Sequence, residues 1–93
     1  MQGVPENIQI SDIIEEIKNI NGVNDVHHVH LWNLDEKNII FESHINVNDM
    51  LVSETKDIYE KIQEGLHEHF EINHVTIQFE YNGYSGIGVI KKD

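Results

Sequence analysis

Apolar residues switch between helical and strand spacing along this chain, and the order of those switches limits the folds open to it. Ile13, Ile14, Ile17 and Ile20 recur at helical spacing and make one stripe. Val26 to Leu34 and Ile39 to Val47 are rich in β-branched and aromatic residues, as strands are. The polar run Asp35-Glu36-Lys37-Asn38 between them is short enough for an antiparallel hairpin. Leu51, Thr55, Ile58, Ile62 and Leu66 return to the helical period, with Glu and Lys on the opposite side. Val75, Ile77 and Phe79 then alternate with Thr76, Gln78 and Glu80, which predicts a third strand. The order is helix, strand, strand, helix, strand. Two amphipathic helices can cover one face of a three-stranded sheet, so the fold class expected is α+β, a two-layer sandwich with one sheet face open.

Local signals set the expected boundaries. Ser11 reads as an N-cap with Asp12 in the first turn, where a negative charge suits the helix dipole. Gly22 reads as the glycine that ends the first helix. Gly65 weakens the second helix by ~1 kcal/mol relative to Ala. Residues 1–10, with Pro5, read as a lead-in, 11–81 as one domain, and 82–93, with Gly83, Gly86 and Gly88, as a flexible tail. A chain of 93 residues suits a single core.

Charge narrows the partners. Seventeen acidic residues face six basic ones, all Lys, for a formal net charge of −11. Phosphates would be repelled, and no Arg is present to read bases, which argues against nucleic acid. An acidic surface attracts cations. The absence of Cys excludes disulfides, thiolate nucleophiles and Cys-type zinc clusters. No basic-then-apolar leader follows Met1, and no apolar run approaches the ~20 residues a membrane helix needs, so a soluble chain is expected.

Side chains alternate across a strand, which assigns faces. Ile39, Phe41, Ile45, Val47, Val75, Ile77, Phe79, Val29 and Leu31 point to the helices. His28, His30, Trp32, Glu42, His44, Asn46, His74, Thr76, Gln78 and Glu80 point to the open face. Strict alternation sends His27 inward with Val29, unless a bulge at the strand entrance turns it outward. Imidazoles and carboxylates crowded on one acidic face are a ligand set for a divalent transition metal. His67 and His69 read as a solvated helix terminus, Trp32 as packing or an interface anchor, and Glu15, Glu16 and Glu36 as plain surface.

The segment from Gly22 to Leu34, Gly-Val-Asn-Asp-Val-His-His-Val-His-Leu-Trp-Asn-Leu, resembles a signature of cation diffusion facilitator transporters. So does His74-Val-Thr-Ile-Gln-Phe-Glu80, and Val4-Pro-Glu-Asn-Ile8 is similar to the segment after the last membrane helix of that family. The resemblance runs over residues 3 to 81. It implies the cytoplasmic C-terminal domain of such a transporter, related to ferredoxin-like metallochaperones, forming a homodimer and binding Zn²⁺ or a similar cation. Met1 would then start a fragment whose membrane transport domain lies elsewhere. The resemblance carries metal ligation to His27, His44 and Glu80. His74 lies beside a ligand position of the family, on the expected face. Gln78 stands where some members have His, and His28 stands where Asp is common, which opens an alternative site with His30.

Two functions fit: a regulatory domain that binds metal and stabilises the homodimer, or a structural dimerisation module without useful metal binding. A small-ligand regulatory domain is disfavoured, because the exposed face shows no Gly-rich phosphate loop. No nucleophile–base pair can be argued from the sequence, so an enzyme is not expected.

Overall fold

A computed structural model describes residues 8–81. The expected lead-in up to residue 7 and the tail 82–93 lie outside the described residues. The elements are α1 (Ile10–Lys18), β1 (Val23–Asn33), β2 (Ile39–Val47), α2 (Val52–Phe70) and β3 (His74–Tyr81). The sheet runs β1-β2-β3, with β1 antiparallel to β2 and β3 parallel to β2. Parallel neighbours need a long crossover, and α2 supplies it. The α+β sandwich expected from the sequence is the fold observed.

One core lies between the helices and the sheet. Ile13 and Ile17 of α1, Phe41 and Ile45 of β2, Ile62 and Leu66 of α2, and Ile72 are each at most 1% exposed. Val26, Leu31, Val47, Ile58 and Val75 complete it. The Tyr59 hydroxyl donates to the Val75 carbonyl at 2.8 Å, fastening α2 to β3. Asn73 ties the hairpin to the start of β3. Its Oδ1 accepts from the Ile39 N–H at 2.9 Å, and its amide donates to the Lys37 carbonyl at 3.2 Å.

Several local expectations need correction. Ser11 is not the N-cap: α1 starts at Ile10, two residues earlier than expected, with Gln9 as its N-cap and no side-chain cap. Gly22 does not end the helix, which stops at Lys18 with Asn19 as its C-cap. Gly22 makes the turn into β1 instead, at φ +101°, with space for a Cβ limited by Met50 Cε at 3.2 Å and Ile58 Cδ1 at 3.3 Å. Leu51 stands outside α2 and is 68% exposed. Its N–H donates to the Glu54 carboxylate at 2.8 Å, and Leu has no side-chain acceptor to return the bond. The half-buried Thr55 donates its hydroxyl to the Val52 carbonyl at 2.6 Å.

The far end of α2 closes through Glu71 in the left-handed region, at φ +60°. The Ile72 N–H then reaches back to the Leu66 carbonyl at 3.1 Å, and Ile72 drops into the core. His69 and Glu16, expected as terminus and plain surface, meet across the two helices, with Nδ1 at 2.9 Å from Oε2. Gly65 makes room for that contact: a Cβ there would come within 2.5 Å of Glu16 Oε2.

Candidate metal centre

The open sheet face is ordered in rows by strand register. Asp25, Asn46 and Glu80 form one row, and His27, His44 and Gln78 the next. His30, Glu42 and Thr76 follow, then Trp32, Ile40 and His74. His27 and His30 both belong to this face although they are three positions apart, because the β1–β2 register shifts between them. The shift is a bulge with His28 at φ +53°. Alternation alone therefore misplaces His27, and the bulge returns it to the side of His44.

Glu80 sits between the two imidazoles. Its Oε1 lies 3.0 Å from His27 Nε2, and its Oε2 lies 2.8 Å from His44 Nδ1. One ligand atom from each residue falls within 4.8 Å of the other two. A tetrahedral Zn²⁺ at ~2.0–2.2 Å from its ligands holds them ~3.3–3.6 Å apart. Shifts on the order of 1 Å in three half-buried side chains would reach that spacing, so the donor set fits such an ion. Two imidazoles with a carboxylate suit zinc and its neighbours better than Mg²⁺ or Ca²⁺, which prefer all-oxygen shells.

Asp25 is a part the sequence reading missed. Its Oδ2 lies 3.3 Å from His27 Nδ1, on the side of the ring away from Glu80. A carboxylate there would favour a proton on Nδ1 and leave Nε2 free as a donor atom. The signal was present, since Asp25 shares a face with His27 once the bulge turns that histidine outward. Asn46, between Asp25 and Glu80 in the register, has an Oδ1 that is buried and without a hydrogen-bond partner in the structure.

The other expected ligands fall outside this group of three. His74 shares the face but pairs with Ile40, four residues along β2 from His44. At ~3.3 Å per residue that is roughly 13 Å. Its Nε2 instead lies 3.2 Å from Asn38 Oδ1. His28 stacks on His44 with ring centroids 4.6 Å apart, and His30 lies across from Glu42.

A two-layer α+β domain with a His–carboxylate cluster on its open sheet face defines the class. The chain belongs to the cation efflux protein family, as its cytoplasmic domain, which residues 5–82 match. It is 40% identical over 86 residues to a cadmium, cobalt and zinc/H(+)-K(+) antiporter of Bacillus subtilis, covering 91% of this chain and 27% of that protein. It is 31% identical over 80 residues to the metal cation efflux system protein CzcD of Cupriavidus metallidurans, covering 86% of this chain and 25% of that protein. The chain thus spans about a quarter of the length of these relatives. The metal-bound C-terminal domain of the C. metallidurans CzcD transporter superposes with a TM-score of 0.69 at 27% identity, covering 78% of this chain and 99% of that one. The fold is also that of the metal-bound C-terminal domain of a CzcD transporter from Thermotoga maritima, at a TM-score of 0.69 and 23% identity, over 82% of this chain and 91% of that one. Among the described residues, no helix is long and apolar enough to cross a membrane.

Proposed function

We propose that this domain is a metal-responsive regulator of the transporter to which it belongs, binding Zn²⁺ or a similar divalent cation through His27, His44 and Glu80 and so stabilising a homodimer. The observation that carries the reading is the convergence of three ligand atoms within 4.8 Å, one from each strand of the sheet. Asp25 would orient His27 behind the ligands. The net charge of −11 makes two copies repel, and a dication bound at the face relieves that repulsion. A metal that prefers the closed dimer tenfold shifts its equilibrium by ~1.4 kcal/mol. The metal-bound state of the related CzcD domain supports the reading.

A structural dimerisation module is the second reading, favoured by the way Glu80 already satisfies both imidazoles without an ion. Gln78, level with His44, adds an amide where a further imidazole would strengthen the site. Titration calorimetry with Zn²⁺ separates the two readings, comparing the native chain with His27→Ala, His44→Ala and Glu80→Gln, with sedimentation to follow the dimer. The metal reading expects each substitution to weaken binding at least tenfold and to remove the metal dependence of association. Equal affinities in all four chains would leave only the structural module.

A further inference from the structure

A second group of donors lies beside the first. A hollow of about 250 Å³ opens on the sheet face, with His28, His30, Glu42, His44, Thr76 and Gln78 among its walls. His30 stands directly across from Glu42 on the neighbouring strand, and such pairs start from Cβ atoms ~4.5–5.5 Å apart. His28 enters from the bulge. Left-handed backbone at a non-glycine residue is unfavourable, and here it sets a further imidazole at the hollow's edge. The ring is held there at 26° to that of His44.

From this arrangement we infer that His28, His30 and Glu42 form a second site for a divalent transition metal, separate from His27, His44 and Glu80. Two imidazoles and one carboxylate make the nitrogen–oxygen donor set that Zn²⁺, Co²⁺ and Ni²⁺ accept. The donors are less gathered than those of the first site, which is the one group of three within 4.8 Å among the described residues. All three side chains are exposed, and while His28 rests on His44, those of His30 and Glu42 can turn, so binding draws the donors together at a cost in rotamer freedom that the first site largely avoids. The second site is therefore the weaker. The acidic surface still favours a second dication beside the first. This site needs no ion at the first and stands or falls separately from it.

Calorimetry with Zn²⁺ on the whole chain tests the inference. The native chain should take two equivalents per subunit, one tight and one at least tenfold weaker. His30→Ala with Glu42→Ala should remove the weaker class and spare the tight one, and His28→Ala should weaken the weaker class. His27→Ala with Glu80→Gln should remove the tight class and spare the weaker. These are exposed or half-buried positions, and circular dichroism of each variant checks that the fold is retained. A single tight equivalent in the native chain overturns the second site. So does a weaker class that survives His30→Ala/Glu42→Ala, or loss of the tight class on that substitution. If the native chain shows a weak class alone and that substitution removes it, the second site holds and the reading of the first fails.

Discussion

His27 lies directly across the β1–β2 ladder from His44, on the open side of the sheet, although counting back from Leu31 by twos would send it to the core. The extra residue at the bulge makes the difference. It lets Val26 fill the core next to Ile45 while His27 joins the donors, so core and site are both served by adjacent positions.

Metal should stabilise the fold as well as bind it. At a free Zn²⁺ concentration a hundredfold above the dissociation constant the gain is ~2.7 kcal/mol. For a domain of this size each kcal/mol raises Tm by ~4–8 °C. Thermal melting with and without a chelator should show a rise of that order, reversed when the metal is removed. His44→Ala should show little of it, and a native chain whose Tm ignores Zn²⁺ would count against the site.

Asp25 positions His27, so Asp25→Ala should lower Zn²⁺ affinity ~10–100-fold while leaving Tm of the metal-free protein nearly unchanged. Asp25→Asn keeps an acceptor near Nδ1 and should recover part of the affinity. If both substitutions act alike, orientation through the hydrogen bond is not what Asp25 provides.

Gly65→Ala sets two effects against each other. Ala gains ~1 kcal/mol of helix propensity. The new Cβ displaces the Glu16 carboxylate, the flexible end of a side chain, and loosens its pairing with His69. A pair this open to solvent contributes about 0–1 kcal/mol. Denaturant unfolding should find the variant as stable as the native chain or more so, with His69 ring resonances shifted. A loss above ~1 kcal/mol would show that the contact between α1 and α2 counts for more than an exposed pair.

Glu71→Gly should stabilise the domain by about 1 kcal/mol, because glycine adopts the left-handed cap without the penalty a side chain incurs. The unfolding midpoint should move up with an unchanged slope against denaturant. No gain would mean that the Glu71 side chain compensates its backbone.

Asp35 organises the hairpin turn. The Asn38 side-chain amide, followed by the Lys37 N–H, donates to its carboxylate and holds its pKa below the ordinary aspartate value. The stability linked to it is present above the unfolded pKa of ~3.9 and is lost as pH falls through the lower folded value. A carboxyl NMR titration should place its midpoint below that of an unfolded aspartate. Asn38→Ala should move the midpoint upward, and an ordinary midpoint in the native chain would refute the linkage.

The element order was legible because each core face repeats with its own period: Ile13 and Ile17 in α1, Ile58, Ile62 and Leu66 in α2, Phe41 and Ile45 in β2. The helix ends were not, because Gln9, Leu51 and Glu71 occupy cap positions that propensity gives to other residues. Ile72 hid in a polar stretch and became core only through the turn after α2. For the candidate site, alternation named the face of His44 and Glu80 but not that of His27, and it could not name the row. His74 has the correct parity, yet its place along the sheet depends on how far β3 slides against β2, which no spacing within β3 encodes. Asp25 depended on the same bulge as His27.

The three clustered donors come from three strands whose order in the chain spans residues 27 to 80. A slip of one residue in any strand would turn its donor toward the helices and expose an apolar neighbour in its place. An ion bound there would act as a gauge of alignment, coordinating fully only when every strand has settled in its proper register.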